Sequence, residues 1–319
     1  MKCVTGLAVI AGTFVSMLRA SAELPHYYHT TPQLKQELEK LGRDCNGFSV
    51  HHEPIGNGHT IEFVTVSRAS GNRDRFFLLA GEHSRELISA ESALHFLQVL
   101  CERETKLADK ARKVLQHTNI QVVVNGNPVS RAKVEAGDFC LRGNENNVDL
   151  NRNWGGHWNS AAANAETNPG NKAFSEPETQ AFAKAVTSFK PHIFLSVHSG
   201  TLGMYMPWAF SAEEPARNEQ AMEAVLKEVD EKFCRCPYGA AGKAAGYRSS
   251  GTCLDFVYDK LKTPLSFAVE VCELLRAYDF HFKANGVVRF TPTQTDKLSS
   301  MKHGRRKRSF WIPIQTSVD

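Results

Sequence analysis

The sequence of 319 residues lacks several features that would define its class at once. After residue 22 there is no run of about 20 apolar residues, so we expect no transmembrane segment in the rest of the chain. No N-x-S/T sequon occurs, so N-glycosylation is not expected. No Cys-x-x-Cys pair occurs, which weakens the alternative of a zinc site held by cysteines. Internal repeats and low-complexity tracts are also missing. The 42% of hydrophobic residues and 23% of charged residues suit one large domain or two small ones.

The formal net charge of +4 is carried by the two ends of the chain. Removing the eight basic residues at these ends from +4 leaves a body with a net charge of −4. A mildly acidic body offers no basic face, so we expect no nucleic-acid partner. The eight residues are Lys2, Arg19, Lys297, Lys302, Arg305, Arg306, Lys307 and Arg308.

Residues 1–22 have the pattern of a signal peptide. Lys2 forms a short positive region, residues 4–18 are mostly apolar, and residues 20–22 match an A-x-A cleavage signal. The apolar stretch is too short to span a bilayer comfortably, and an uncleaved anchor is the alternative. We therefore expect a mature start near Glu23 and a soluble protein that is secreted or lies in the lumen of the secretory or endosomal pathway.

The cysteine count predicts both disulfides and a free thiol. Cys3 is removed with the signal peptide, and seven cysteines remain. In an oxidising compartment some of them pair, and an odd number leaves at least one unpaired. Cys234 and Cys236 are too close in sequence to bond comfortably, so each is expected to pair elsewhere.

Apolar strands alternate with helices along the chain. This order predicts an α/β fold in which a mixed, largely parallel central sheet is covered by helices on both faces. The predicted strands are 61–66, 76–80, 119–124, 193–197 and 265–271, with the last of these as the final clear strand. The predicted helices are 33–41, 89–103, 176–189 and 218–233.

Two stretches are predicted to lack regular structure. Residues 125–175 are polar and rich in glycine and asparagine, so we expect a long loop that is functional or disordered. Residues 238–250 are rich in glycine, alanine and serine and are expected to be flexible. Between them, Ser175-Glu176-Pro177-Glu178 predicts a capping box whose acids stabilise the start of a helix.

Four chemically suited side chains follow or end predicted strands. His83 and Glu86 lie three residues apart just after one strand, His198 ends a second, and Glu270 lies near the end of a third. Parallel sheets bind ligands at the carboxyl ends of their strands. Two ligands close in sequence and a third 112 residues later match a catalytic zinc site, although cobalt or nickel would fit the same ligands. The H-x-x-E spacing alone is also compatible with an exposed charged turn.

Five motifs occur together, in one order: HSRE at 83–86, DLNRNW at 149–154, the strand ending in His198-Ser199, the segment around Tyr247, and S-F-x-x-E ending at Glu270. In that order they resemble the zinc metallocarboxypeptidases of the pancreatic carboxypeptidase A/B and carboxypeptidase N/E type. The resemblance runs from about Tyr27 to Thr293, which is nearly the whole mature chain.

The resemblance implies a role for each matched residue. One zinc ion per chain would be held by His83, Glu86 and His198. Glu270 would be the general base that activates the zinc-bound water and returns the proton to the leaving amine. Arg142 would polarise the scissile carbonyl and stabilise its oxyanion. The alternative for Glu270 is a buried ion-pair partner.

The implied partner is the C-terminus of a peptide or protein. Asn151 and Arg152 would bind its terminal carboxylate, because a guanidinium matches a carboxylate at two points. Tyr247 would close over the site and bond to the same carboxylate, and Arg85 would contact the substrate farther along. Arg152 could instead be a structural partner of Asp149, and Tyr247 an ordinary surface aromatic.

The family also implies where specificity is set. The residue before the aspartate that follows the flap tyrosine lies at the base of the side-chain pocket, and here it is Leu254, before Asp255. An acidic residue there would suit a C-terminal Lys or Arg. Ala268 and Thr252 are small and uncharged, although Glu273 is an acid near the pocket. We predict a preference for an apolar or aromatic C-terminal residue, with Lys/Arg specificity as the alternative.

The chain departs from the family pattern in two places. The ten-residue spacing from Arg142 to Arg152 resembles the N/E branch, whereas HSRE and the Tyr247 segment resemble the A/B branch, so the subfamily stays open. The expected mature start lies only 60 residues before His83, which leaves no room for an inhibitory pro-domain, so activation is not expected to be needed.

The sequence divides into three parts: a signal peptide at 1–22, a catalytic domain at 23–303, and a basic C-terminal tail at 304–319. The R-R-K-R segment at 305–308 is either a solvated basic tail or a furin-like processing site. We expect a monomer.

Two other functions compete with the carboxypeptidase. A related amidohydrolase would act on acylated amino acids, but Asn151, Arg152 and Tyr247 argue for a peptide carboxyl end. A carboxypeptidase-like binding protein would keep the pocket and lose the chemistry, but the implied ligands, base and oxyanion arginine are all retained.

Overall fold

The structure is a computed structural model that describes residues 24–25, 27–68, 71, 73–162, 164, 166–215 and 217–271. It also describes the backbone of three strands at 278–283, 287–292 and 310–313. The predicted signal peptide, Cys272, Glu273 and residues 305–308 of the predicted tail lie outside the described residues.

The described chain alternates strands and helices. The strands are β1 Phe48–Gly56, β2 His59–Val66, β3 Asp74–Ala80, β4 Thr118–Val123, β5 Ile193–Ser199, β6 Gly203–Met206, β7 Tyr238–Ala240, β8 Leu265–Val271, β9 Tyr278–Lys283, β10 Val287–Pro292 and β11 Phe310–Pro313. The α-helices are α1 Thr31–Asp44, α2 Leu87–Leu100, α3 Ala108–His117, α4 Pro128–Glu135, α5 Pro177–Phe189, α6 Glu219–Val229, α7 Ala241–Ala244 and α8 Cys253–Asp259.

An eight-stranded mixed sheet forms the centre, in the order β1-β2-β4-β3-β5-β8-β6-β7. The four middle strands, β4, β3, β5 and β8, are parallel to one another. Strands β1 and β2 form an antiparallel hairpin at one edge, and β6 runs antiparallel to β8 at the other side. The predicted α/β fold with a mixed, largely parallel sheet is therefore confirmed.

The sheet separates two hydrophobic cores, because successive side chains of a strand point to opposite faces. In β3, Phe76 and Leu78 pack on one face, and Phe77 and Leu79 pack on the other. The first face is covered by α1, α2, α3 and α6, and the second by α5 and α8. Burying each such aromatic or aliphatic side chain stabilises the fold by about 1.5–3 kcal/mol.

Two predicted irregular stretches contain regular structure. Helix α4 lies inside the loop predicted over 125–175, and β7 and α7 lie inside the stretch predicted to be flexible. The predicted capping box is also wrong. The N-cap of α5 is Glu176, whose side chain makes no cap hydrogen bond. The carboxylates of Glu176 and Glu178 instead accept hydrogen bonds from Asn144, so they fasten the preceding loop.

The chain continues as strands beyond β8, which was predicted to be the final clear one. Strands β9 and β10 pair antiparallel, and β11 pairs antiparallel with β10 in a separate three-stranded sheet. Residues 310–313 of β11 belong to the segment that the sequence assigns to the basic tail.

The disulfides correct one prediction and confirm another. Cys234 and Cys236 pair with each other, contrary to the expectation that each pairs elsewhere. Arg235 between them adopts a left-handed conformation, with φ 49° and ψ 53°, which brings the two Cα atoms to 5.1 Å. Cys45 pairs with Cys101. The expected free thiol is Cys253, which is fully buried.

Candidate metal centre and active site

The turn after β3 carries the first two predicted ligands. Gly81 begins this turn with a φ of +76°, and a Cβ on it would lie 2.9 Å from the main-chain nitrogen of Gly126. Only glycine allows the two chain segments to pass so closely. The Glu86 N–H then donates to the His83 carbonyl at 3.2 Å, which folds the turn and brings both side chains to one side. The His83 Nδ1 lies 2.7 Å from the Glu86 Oε1.

Strand β5 supplies the third predicted ligand. The Nδ1 of His198 lies 3.2 Å from the Nδ1 of His83 and 3.1 Å from the Oε2 of Glu86. All three residues are buried, with at most 3% of their surface exposed. Bond lengths near 2.0–2.1 Å around a tetrahedral zinc ion place neighbouring nitrogens about 3.3 Å apart. Two imidazoles and one carboxylate in this arrangement therefore fit zinc.

The opposite nitrogen of each imidazole is hydrogen-bonded, which orients the ring. The Nε2 of His83 lies 2.9 Å from the Oδ1 of Asp149. The Nε2 of His198 lies 2.7 Å from the Oγ of Ser196. A proton on each Nε2 would leave both Nδ1 lone pairs free for a cation.

The carboxylates of the site are held in their ionised form. Burial alone would raise the pKa of Glu86, but the imidazoles of His83 and His198 outweigh burial and lower this pKa below its ordinary value. Burial likewise opposes ionisation of Asp149, but the guanidinium of Arg142 holds the pKa of that carboxyl well below its usual range. Both carboxylates therefore favour their ionised form, and anionic oxygens beside two imidazoles favour a bound cation.

Glu270 differs from Glu86 and Asp149 in the direction of its pKa shift. It lies in β8 opposite His198 of β5, since the two residues are partners in the parallel register. Burial raises the pKa of Glu270, and the nearby charge of Glu86 raises it further. A carboxyl group with a raised pKa beside a metal site is suited to accept and return a proton.

Arg142 contacts the proposed ligand Glu86 and also lines the cavity. Its Nε donates to the Oδ2 of Asp149 at 3.0 Å, and its Nη1 lies 3.4 Å from the Oε1 of Glu86. Arg142, Glu270, His83 and His198 all line one cavity. A guanidinium held in this way is oriented before any substrate arrives.

The residues predicted to bind a terminal carboxylate line the same cavity. They are Asn151, Arg152 and Tyr247. The Oδ1 of Asn151 accepts the main-chain N–H of Cys253 at 3.0 Å, and the Nη1 of Arg152 donates to the carbonyl of Asn151 at 2.7 Å. Tyr247 is 55% exposed, so its ring can move without loss of core packing. Asp149 accepts a hydrogen bond from Arg142, and the charge of Arg152 also lowers the pKa of Asp149, so both predictions for Arg152 stay open.

The three residues named in the specificity prediction, Leu254, Thr252 and Ala268, line the same cavity. Asp255 does not present its charge there, because its two oxygens accept the main-chain N–H groups of Ala209 and Phe210 at 2.9–3.1 Å. Burial raises the pKa of Asp255 to about 7.

Arg85 lies outside the residues that line the cavity. Its Nη1 donates to the carbonyl of Cys140 at 2.9 Å, and its Nη2 lies 2.9 Å from a carboxylate oxygen of Glu166. The predicted contact of Arg85 with substrate stays a prediction.

Comparison with known proteins identifies the family. The sequence profile of the zinc carboxypeptidases (peptidase M14) matches residues 40–294. The chain belongs to the zinc carboxypeptidase family. This membership makes it a hydrolase, and it confirms the resemblance drawn from the five motifs.

Individual carboxypeptidases resemble the chain at modest identity. A zinc carboxypeptidase of Simulium vittatum is 25% identical over 88% of this chain and 97% of its own length. Zinc carboxypeptidase A 1 of Anopheles gambiae is 26% identical over 76% of this chain, but the match spans only 60% of that relative. The crystal structure of thrombin activatable fibrinolysis inhibitor matches 76% of this chain and 66% of its own, with 22% identity and a TM-score of 0.69, which supports the fold.

Sequence reasoning missed several residues of this carboxypeptidase site. Ser196 could have been found, because side chains two residues apart in a strand share a face, and His198 follows it by two. Glu82 immediately precedes a ligand but was given no role. Tyr205, which lines the cavity, and Cys253, which is buried beside the site, carried no motif.

His83, Glu86 and His198 lie close enough together for their donor atoms to share a metal ion, and the zinc carboxypeptidase family implies that this metal is zinc. Among the described residues, no helix combines the length and the apolar character needed to cross a bilayer.

Proposed function

We propose that this chain is a secreted metallocarboxypeptidase that hydrolyses the C-terminal peptide bond of peptides or proteins and prefers apolar or aromatic C-terminal residues. One observation carries the proposal: His83, Glu86 and His198 converge, and His83 and His198 line a cavity with Glu270, Arg152 and Leu254. The disulfides support an oxidising compartment.

The proposed ligands are His83, Glu86 and His198, with one zinc ion per chain. When bound, zinc supplies a Lewis acid that polarises a carbonyl and lowers the pKa of water. Glu270 takes a proton from the attacking water and returns it to the leaving amine, which its raised pKa favours. Arg142 stabilises the charge that develops on the scissile carbonyl oxygen.

Substrate recognition is assigned to the rest of the cavity. Arg152 and Asn151 bind the terminal carboxylate, because a guanidinium donates two parallel hydrogen bonds to a carboxylate. Tyr247, which is exposed, closes over the same group. The terminal side chain then lies against Leu254, where the absence of a charge favours Phe over Lys.

Hydrolysis of two blocked dipeptides tests the proposal, one ending in Phe and the other in Lys. We expect release of Phe that 1,10-phenanthroline abolishes and added zinc restores. Release of Lys in preference to Phe would overturn the apolar pocket and keep the reaction. No release of either, from protein shown to hold zinc, would favour a carboxypeptidase-like binding protein instead.

The pocket assignment has a matched pair of variants. Leu254→Asp places a charge at the base of the cavity and should raise the ratio of kcat/KM for Lys over that for Phe by at least about tenfold. Leu254→Asn has nearly the same shape without the charge and should leave Lys disfavoured. Equal ratios in the two variants would show that position 254 does not set specificity.

A further inference from the structure

Glu82 is a buried carboxylate that none of the roles above uses. It is 1% exposed and lies between the end of β3 and the ligand His83. Its Oε1 accepts the indole N–H of Trp154 at 3.0 Å. Its Oε2 accepts the hydroxyl of Ser196 at 3.1 Å and faces the thiol of Cys253 at 3.4 Å. Buried carboxyl groups need hydrogen-bond partners, and here those partners adjoin a proposed metal ligand.

The hydroxyl of Ser196 connects Glu82 to a metal ligand. The Oγ of Ser196 lies 2.7 Å from the Nε2 of His198, and the Oε2 of Glu82 lies 3.4 Å from the same nitrogen. A hydroxyl has one proton to donate. Because Ser196 donates this proton to Glu82, it can only accept from His198, which requires the proton of the imidazole to be on Nε2.

A second neighbour of His198 favours the opposite tautomer. The Nδ2 of Asn151 lies 3.2 Å from the Nε2 of His198. The orientation of this amide is fixed, because its Oδ1 accepts the main-chain N–H of Cys253. An amide N–H pointing at Nε2 would favour a lone pair there and the proton on Nδ1, where it would block metal binding. The position of the proton therefore depends on the carboxylate behind Ser196.

The two imidazoles of the site are thus oriented by different means. His83 donates directly to the carboxylate of Asp149. The Nε2 of His198 lies closest to the hydroxyl of Ser196, with the carboxylate of Glu82 behind it at 3.4 Å, and it also meets a competing amide. A direct carboxylate partner needs no intermediate group, whereas the His198 arrangement depends on Glu82 as well as Ser196.

We propose that Glu82 is a positioning residue of the metal centre, which acts through Ser196 to hold the proton of His198 on Nε2 and so keeps Nδ1 free for the metal. The inference rests on the proposed function only in that His83, Glu86 and His198 bind a metal ion. Partners of this kind behind a metal-bound histidine typically change metal affinity by about 10–100-fold.

The two oxygens of Glu82 allow the proposal to be separated from a packing role. Oε1 anchors Trp154, whereas Oε2 meets Ser196. Ser196→Ala breaks only the connection to His198, while Glu82→Gln removes the charge at nearly constant shape. Cys253→Ala is the comparison variant, since it removes the thiol that faces Oε2 and also contacts His198 and Ser196, but it keeps the connection from Glu82 through Ser196.

The test measures zinc affinity of the full chain without substrate. Metal-free protein is titrated with Zn²⁺ against a chromophoric chelator, and with Co²⁺ while the visible absorption bands are recorded. Glu82→Gln and Ser196→Ala should each weaken Zn²⁺ binding by about 10–100-fold and alter the Co²⁺ spectrum. The double variant should lose no more than the weaker-binding single variant, because both changes break one connection. Cys253→Ala should bind Zn²⁺ like the parent.

Three results would overturn the inference. One is a folded Glu82→Gln variant that binds Zn²⁺ like the parent and only melts at a lower temperature, which would make Glu82 an anchor for Trp154. Another is parent-like affinity in Ser196→Ala, which decides the question even if Glu82→Gln does not fold. The third is two zinc ions per chain with the second lost in Cys253→Ala, since Glu82, His198 and Cys253 also lie close enough to share an ion.

The outcome is independent of peptide hydrolysis. The parent protein could bind Zn²⁺ tightly, with the expected losses in the variants, but release no C-terminal residue. That result would contradict the proposed function and support the role of Glu82. Hydrolysis by the parent, together with unchanged Zn²⁺ affinity in the variants, would support the proposed function and contradict the role of Glu82.

Discussion

The described residues include two clusters of interacting charged side chains, of which the first is fully buried and the second is partly exposed. The metal-facing cluster consists of His83, Glu86, Asp149 and His198, each at most 3% exposed. The closed cluster consists of His29, Glu91, Arg131 and Glu135. In it, Arg131 is 2% exposed, its Nε donates to Glu135 at 2.9 Å, and its Nη2 lies 3.6 Å from Glu91.

The two clusters differ in where their cation comes from. In the closed cluster, Arg131 provides it, and its remaining donors reach the carbonyls of His29 and Leu87. In the metal-facing cluster, two imidazole nitrogens and a carboxylate converge with lone pairs toward one another. Burial and charge alone do not indicate a catalytic site. Converging acceptors on a cavity do, because they need a cation from outside the chain.

The largest difference in kcat/KM is expected between two isosteric changes, one beside the metal-facing cluster and one in the closed cluster. Glu270→Gln removes the proton acceptor beside the metal-facing cluster and should lower kcat/KM by about 10²–10⁴-fold. Glu135→Gln in the closed cluster should leave kcat/KM unchanged and lower stability. Steady-state kinetics on zinc-loaded protein measure both. Full activity in Glu270→Gln would remove this residue from the mechanism.

Arg131→Gln should give the largest loss of stability. It leaves Glu91 and Glu135 without their buried cation, and breaking such a pair typically costs about 3–5 kcal/mol. Urea unfolding monitored by circular dichroism measures the loss, and Arg131→Lys, which keeps the charge, should lose less. Zinc affinity should stay close to that of the parent. A large fall would show that the contact of Arg131 with the Leu87 carbonyl positions the adjacent ligand Glu86.

Removing the metal from the metal-facing cluster should lower the free energy of unfolding by somewhat less than Arg131→Gln does. A ligand at 100–1,000 times its Kd stabilises the folded state by about 2.7–4.1 kcal/mol, so chelation should lower the free energy of unfolding accordingly. Unfolding in urea with zinc and with a chelator measures this increment. If the clusters are independent, Arg131→Gln should show the same increment as the parent. A clearly different increment would contradict that independence.

The smallest expected effect is a pH dependence within the closed cluster. The hydrogen bond from His29 to Glu91 raises the pKa of this histidine above 6.5. The charged pair therefore stabilises the fold fully below about pH 6.5 and less as pH rises through the raised pKa. The Tm difference between the parent and His29→Gln should be larger near pH 5.5 than near pH 9. A constant difference would mean that the contact does not depend on the proton.

The proximity of His83, Glu86 and His198 could be predicted from sequence because each residue belongs to a local pattern. The apolar run of β3 is short and ends at a glycine, so His83 and Glu86 fall at the carboxyl end of a strand. The run that ends in His198 works in the same way. Parallel strands bring their carboxyl ends to one edge, and that general rule was enough to bring these residues together.

What the sequence did not reveal depends on long-range contacts or on a single backbone angle. Helix α4 has few apolar residues, and Arg131 at its centre is buried against Glu91 and the carbonyls of His29 and Leu87, which are distant in sequence. Arg235, between the bonded Cys234 and Cys236, has a left-handed conformation, and an arginine in the sequence does not predict that conformation.

Strand β1 was missed for a different reason. Its side chains are mostly exposed, so no alternation of apolar residues indicates it. A usable signal was nevertheless present, because Asn57-Gly58 joins β1 to β2 with positive φ angles at both residues. Asn-Gly between two strands favours a tight hairpin turn.

The position of Asp149 has a thermodynamic consequence. One of its oxygens lies against the imidazole of His83, and the other accepts from Arg142. A single carboxylate is therefore shared by His83, a proposed metal ligand, and by Arg142, the proposed partner of the scissile carbonyl. If both hold these proposed roles, a change in how the ion binds His83 reaches Arg142 through this one group. Binding of the ion and binding of the peptide would then be linked equilibria, each altering the affinity of the other by the same factor.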